Sequence, residues 1–445
     1  MDYNSAALTY RVRKALRYCR LYGPRRTWAK IRAEYHMNKR YQKLPPVEEL
    51  RGGGAVGIIG CGKFAYSTLA YFLKRRFGSV FRGVMDIDIH RAASFFKAYD
   101  ARYYTDNAEL IISDPEIRLV CIASKHSTHA EYAIRTLDAG KSVYIEKPHV
   151  VDWDQLARLC QAARGSAGKV FLGFNRPKSR LTREAKTFLA TQSGPQMLNW
   201  FVWGHEITPG HWYHEEKEGG SVLGNLCHWL EIIYHMVPPE NRFPTMIQPM
   251  RRDEFENDVV VTLVFGDGSV GVITFCRRGD PFEGLREIFT GHRGSVLVTI
   301  RDFKSLTVEN GAKKRTISQI FRDHGHRACI EESYQKTLDA SASGASVPYI
   351  WETACLFLKT KEALESGNTQ IVNGFHQSCL SVASPTRHRE SCEPVVSRRV
   401  SWRCYSAMIF PEEVHPNRQA PHEQRASASI QVQDAGSCHA TGFPR

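Results

Sequence analysis

Short apolar runs at 55–59, 80–85, 119–123, 142–145 and 170–174 alternate with amphipathic stretches of helical length. Strand, helix, strand in that rhythm predicts crossover units and a parallel sheet covered on both faces. Beyond Asn175 the rhythm changes. Longer, aromatic-rich runs at 197–203, 259–265, 269–276 and 296–300 predict strands, and Gly266-Asp267-Gly268 predicts the turn of a hairpin between two of them. Helical periodicity marks 219–236 before these strands, and 326–340 and 350–365 after them. The prediction is an α/β chain with an N-terminal parallel sheet and a C-terminal α+β domain whose large open sheet is mostly antiparallel.

The ends read differently. Over residues 5–22, Leu8, Val12, Leu16 and Cys19 recur at near-helical spacing beside Arg11, Lys14 and Arg17, the pattern of a basic amphipathic helix. Such a helix packs on the body or a partner subunit, or touches an anionic membrane surface or an acidic partner. Residues 44–54, with Pro45, Pro46 and Gly52 to Gly54, predict a linker. From 374 the chain has no lysine and no sustained periodicity, which predicts a disordered tail. The expected division is 1–50 extension and linker, 51–174 first domain, 175–373 second domain, and 374–445 tail.

The net charge of +14 changes meaning once it is placed along the chain: residues 1–50 alone hold 12 Lys+Arg against 4 Asp+Glu. The central body is nearly neutral, so no nucleic-acid partner is expected. The 12 cysteines form no C-x-x-C pair and no zinc-ligand spacing, so reduced thiols and no metal are expected. With no apolar run of membrane-spanning length and no secretory-type stretch, the expected location is cytoplasmic.

Candidate chemistry starts at AVGIIGCGKFA, residues 55–65. Gly60, Gly62 and Ala65 follow the G-x-G-x-x-A spacing that tightens a turn, brings backbone up to a pyrophosphate and packs the helix on its strand. Lys63 and Phe64 lie within the turn. Asp86 closes the next apolar run 24 residues beyond Gly62, where a carboxylate accepts hydrogen bonds from a ribose diol. It favours NAD, whereas Arg91 nearby would accommodate NADP. Glu146-Lys147-Pro148 ends the fifth predicted strand, at the rim of the crevice where open α/β sheets bind ligands; alone, the triplet reads better as a surface lysine in a strand-to-helix turn. In the stretch 218–228, Asn225 and His228 are spaced to share a helix face, although a lone histidine there also reads as a core residue.

The ordered set GCGKFA, MDID, AEYAIRTLDAGKSVYIEKP, GFNR and GGSVLGNLCH resembles the Gfo/Idh/MocA oxidoreductases over about residues 55–370. The resemblance implies a Rossmann domain, an oligomerising C-terminal sheet, and NAD- or NADP-dependent redox chemistry at a carbinol of a sugar, cyclitol or similar molecule. It implies Lys147 as the lysine contacting the substrate hydroxyl and His228 as acid/base. Asn225 stands where many members carry aspartate, an amide that orients a hydroxyl without taking its proton. Ser124, His126, His129 and Glu146 are expected at the cofactor, and Lys125, Asn175, Arg176 and Trp212 toward the substrate.

Lys125 replaces a frequent proline, and its cation either faces a cofactor or substrate phosphate or is a solvated surface charge. Trp200, Trp203, His205, His211, Trp212 and Tyr213 crowd one segment and suit sugar faces, although a hydrophobic sheet and its loop would look similar. A nucleotide-linked sugar of surface-polysaccharide biosynthesis is the expected substrate, with a free sugar or cyclitol next, and a non-catalytic dinucleotide-binding sensor or scaffold is the competing class.

Overall fold

Val56, Ile58 and Ile59 are fully buried in the first strand, and no residue of that strand faces water, as expected of a strand covered on both sides. The computed structural model describes residues 6–47, 53–205, 207, 210–251 and 258–380. The tail from 381 on and residues 48–52 of the expected linker lie outside the described residues.

Two helices come first, α1 (Leu8–Tyr22) and α2 (Pro24–Met37). The Rossmann unit follows: β1 (Val56–Ile59), a π-helical turn at Ala65–Leu69 leading into α3 (Ala70–Phe77), β2 (Phe81–Met85), α4 (Ile89–Tyr99), β3 (Tyr103–Thr105), α5 (Ala108–Ser113), β4 (Leu119–Ile122), α6 (His129–Asp138), β5 (Ser142–Ile145), α7 (Trp153–Gly165) and β6 (Val170–Leu172). Its six strands are parallel in the order β3-β2-β1-β4-β5-β6. The order reverses at β1 and β4, and the crevice beyond those strand ends is where dinucleotides bind in this topology.

The second unit contains α8 (Arg180–Leu189), β7 (Met197–His205), α9 (Cys227–Met236), β8 (Thr245–Arg251), β9 (Asp258–Val264), β10 (Val270–Gly279), β11 (Arg286–Arg293), β12 (Val296–Arg301), β13 (Ser305–Asn310), β14 (Lys313–Ser318), α10 (His326–Leu338), α11 (Val347–Ser366) and β15 (Gln370–Val372). Its nine strands run β14-β13-β12-β11-β7-β10-β9-β8-β15, antiparallel except where β7 meets β10. Buried and half-buried residues alternate along β9 and β10, so helices cover one face and the other stays open. On the open face Phe201 and Trp203 are partly exposed, while Trp200 on the covered face stacks on Phe303 at 5.8 Å. That corrects the aromatic cluster: Trp200 is core and Trp203 is sheet surface.

The sequence reading missed β8, β11, β13, β14 and β15. In β11 the inward positions are Glu287, Phe289 and Gly291, so a charge and a glycine break the apolar alternation. β14 begins Lys313-Lys314-Arg315 and buries only Ile317, as a charged edge strand does. The N-terminal helix forms, but its predicted stripe is not what packs: Leu8, Val12 and Leu16 are 70%, 49% and 59% exposed. The opposite stripe, Lys14, Arg17, Tyr18 and Leu21, turns inward, and α2 continues the extension where no separate helix was expected. Among the described residues no helix is long and apolar enough to cross a membrane.

Candidate active site

A cavity of about 1290 Å³ lies at the carboxyl ends of the Rossmann strands and is closed by the second unit and by α1 and α2. All seventeen residues proposed from sequence line it. Gly60 has φ +93°, and a Cβ there would come within 2.6 Å of the Ala123 backbone, so only glycine makes this turn. At Gly62 a Cβ would meet nothing within 4 Å: the backbone is open toward the cavity. These are the requirements for a diphosphate at the start of a helix. The buried Asp86 carboxylate is pinned by the backbone N–H groups of Cys61 (2.8 Å) and Asp88 (2.9 Å), which fixes its direction and leaves acceptor capacity for a ribose. Arg91 pairs with Asp88 at 3.4 Å and lies 3.9 Å from the Asp86 carboxylate. The residues present therefore fit an NAD molecule.

Lys147 follows β5, and its Nζ donates to the Gly224 carbonyl of the other unit at 2.5 Å. Gly224 lies in a π-helical turn, Val222–Leu226, that runs directly into α9; such turns recur at functional sites. The turn brings Asn225 and His228 to the cavity wall, and Lys147 grips it four residues before His228. Burial pulls Lys147 down, but Tyr213, Cys227 and Glu146 outweigh it and hold the ammonium above the usual lysine pKa. It stays a cation. Glu146 is buried, accepts from Tyr144 Oη at 2.8 Å, and burial lifts it to about 7 against the pull of Lys147.

His228 behaves differently from an exposed imidazole. Burial and then the cationic neighbours Arg176 and Lys147, with His326 and His324, push it well below 6.5, so the ring is neutral at physiological pH. Its buried Nδ1 has no hydrogen-bond partner, which leaves an acceptor or donor for a ligand.

Other expected site residues are committed to protein partners. His129 has the Pro148 carbonyl 2.8 Å from Nδ1 and the Ser124 carbonyl 3.2 Å from Nε2, and burial lowers it to about 4; the neutral ring has one N–H, which the shorter contact assigns to the Pro148 carbonyl in the turn that carries Lys147. Ser124 shares a hydrogen bond with Thr128. His126 joins the Glu218 carbonyl at 3.0 Å and packs 4.7 Å from the Trp212 ring, with burial lowering it to about 2. Lys125 pairs with Glu215 at 2.6 Å, so its charge is met by a carboxylate where a phosphate was expected. Asn175 donates to the His324 carbonyl at 2.6 Å, and Arg176 pairs with buried Glu287 at 2.6 Å. Lys63 pairs with Glu34 of α2, and the Phe64 ring lies 5.8 Å from His326.

Sequence reasoning missed Glu218, whose carboxylate takes the Ser127 backbone N–H (3.0 Å) and hydroxyl (2.7 Å) and clasps the two units. It also missed His326 and the inner faces of α1 and α2. Glu218 stood beside the quoted Gly219-Gly220 pair, so its place was visible but its partner was not.

Comparison with known proteins agrees with this geometry. Residues 55–174 match the family model described as an oxidoreductase family with an NAD-binding Rossmann fold. An oxidoreductase of Formosa agariphila is 33% identical over 114 residues, 26% of this chain and 36% of that protein. Inositol 2-dehydrogenase 3 of Saccharopolyspora erythraea is 32% identical over 326 residues, covering 70% of this chain and 93% of that one. A solved levoglucosan dehydrogenase in complex with NADH and levoglucosan superposes with TM-score 0.63 at 17% identity, over 72% of this chain and all of that one, a likeness of fold. The chain belongs to the Gfo/Idh/MocA family of NAD-binding oxidoreductases.

Proposed function

We propose that this protein oxidises a secondary hydroxyl on a polyhydroxylated ring, a sugar or a cyclitol, with Lys147 and His228 handling the hydroxyl proton. The observation that carries the reading is the reach of Lys147 across the cavity to Gly224, which sets an ammonium and a neutral imidazole from opposite units at one site. The inositol 2-dehydrogenase and levoglucosan dehydrogenase likenesses support a ring polyol as substrate class.

Bound NAD supplies the hydride acceptor. Gly60, Gly62 and the following backbone would hold its diphosphate, and Asp86 its ribose. Lys147 donates to the substrate oxygen and stabilises negative charge as it develops there. His228 accepts the proton at its unpartnered nitrogen, its basicity lowered first by burial and then by the surrounding cations. Asn225 orients a hydroxyl. The open sheet face, with Met197, Phe201 and Trp203 exposed, pairs with a second copy of the chain.

A nucleotide-linked sugar is the second reading. The cavity of about 1290 Å³ has to hold the cofactor together with either substrate. NADH formation followed at 340 nm over a panel of cyclitols, free sugars and nucleotide sugars tests both. Turnover with none of them, or undiminished turnover in Lys147→Ala and His228→Ala, overturns the proposal.

A further inference from the structure

The N-terminal extension is bolted to both units along one wall of the cavity. From α1, Arg17 pairs with Glu283, and the Leu21 carbonyl accepts the Arg322 backbone N–H at 2.7 Å. From α2, Arg26 donates to the Ser67 carbonyl, Glu34 pairs with Lys63 at 2.5 Å, and His36 bonds the Cys61 carbonyl at 2.7 Å. Gly23, at φ +84°, turns one helix into the other and packs against Phe321. The stripe Thr27, Lys30, Ile31 and Glu34 of α2, at helical spacing, faces the same cavity as Gly62 and Lys63.

Most of the cations here have an answer within the protein. Arg17 has Glu283 and Lys63 has Glu34. Lys30 has none within ion-pair distance among the described residues, although it is half-buried and points into the cavity. Burial pulls its pKa below the usual lysine value; Glu34 opposes the fall, and Arg26, Lys63 and Lys14 add to it. The nearest carboxylate, Glu34, is already paired with Lys63 at 2.5 Å, so an ammonium held among other cations beside an open glycine turn still has room for an anion.

We propose that the N-terminal helix pair is a working part of the site, and that Lys30 reaches over the glycine turn to hold a phosphate oxyanion in the cavity, the cofactor diphosphate. This rests on the dinucleotide site described above. It gives the basic extension a role in ligand binding that the Rossmann unit alone does not supply. A nucleotide-linked substrate would present the same chemistry, so the test separates the two sources.

Titrate the full chain and its Lys30→Gln and Lys30→Arg variants with ADP-ribose, with adenosine, and with UDP-glucose at saturating NADH. Lys30→Gln is expected to weaken ADP-ribose roughly tenfold, the loss of one charge-assisted hydrogen bond, and to leave adenosine within about twofold. Lys30→Arg keeps the charge and stays within about threefold of the native chain. A loss confined to UDP-glucose supports the oxyanion role and moves it to the substrate. Unchanged affinity for both phosphate ligands, or equal losses for adenosine and ADP-ribose, overturns the proposal. If the native chain binds neither NADH nor ADP-ribose, the dinucleotide site itself fails, a result distinct from an unaffected variant.

Discussion

Arg176 and Lys147 both carry a full positive charge at the wall of one cavity, yet their charges are met differently. The guanidinium sits 2.6 Å from Glu287 and 4.7 Å over the Trp229 ring, and Trp229 and His324 reach the same carboxylate at 3.0 Å. Burial pushes the Glu287 carboxyl up, but Arg176 and His324 overcome that and hold it far below the usual carboxylate range. Lys147 meets a neutral carbonyl instead, at 2.5 Å. A charge neutralised inside the protein holds the fold. A charge without a paired carboxylate is available to a ligand.

Substitutions on the two sides of this comparison should therefore separate stability from turnover. Glu287→Ala strands Arg176 and His324 without their anion and is expected to cost about 3–5 kcal/mol in urea denaturation, the usual result of breaking a buried pair. Lys147→Ala is expected to lower kcat/KM by roughly 10²–10³, about 2.7–4 kcal/mol of transition-state stabilisation, with unfolding little changed. If Glu287→Ala leaves stability intact while Lys147→Ala unfolds the chain, the comparison is reversed and the assignment with it.

The Rossmann half was legible in the sequence because its chemistry is local. Gly60, Gly62 and Asp86 signal through spacing and through the backbone conformation each demands. The second half was less so. Arg176 was read as a substrate group because its partner, Glu287, is 111 residues away on a strand whose alternation that same glutamate disrupts. The N-terminal extension was legible as a helix but not in its orientation: the face that packs is basic and aromatic, so apolar periodicity pointed to the exposed side. Pairing between distant polar residues leaves no periodic trace.

Smaller effects sharpen the comparison within the site. His228→Gln is expected to cost roughly 10² in kcat, the low end for a positioned acid/base, with NADH affinity preserved in a fluorescence titration. Glu146→Gln tests the buried carboxyl beside Lys147. In the folded protein Glu146 is held up to about 7, above the roughly 4.3 of a free glutamate. The stability of its neutral form is complete below the lower value and is lost as pH rises through the upper one. The variant is neutral throughout, so it should be more stable than the native chain by about 1–3 kcal/mol at pH 8, with the difference closing toward pH 5.

A double-substitution cycle on hydride transfer, followed in single turnover with Lys147→Ala, His228→Ala and the pair, tests most directly whether the two units act on one hydroxyl. Groups that serve the same proton are strongly non-additive. The account predicts that the double variant is within about tenfold of the slower single variant. Losses that multiply in full, or single variants that turn over as the native chain does, would contradict it.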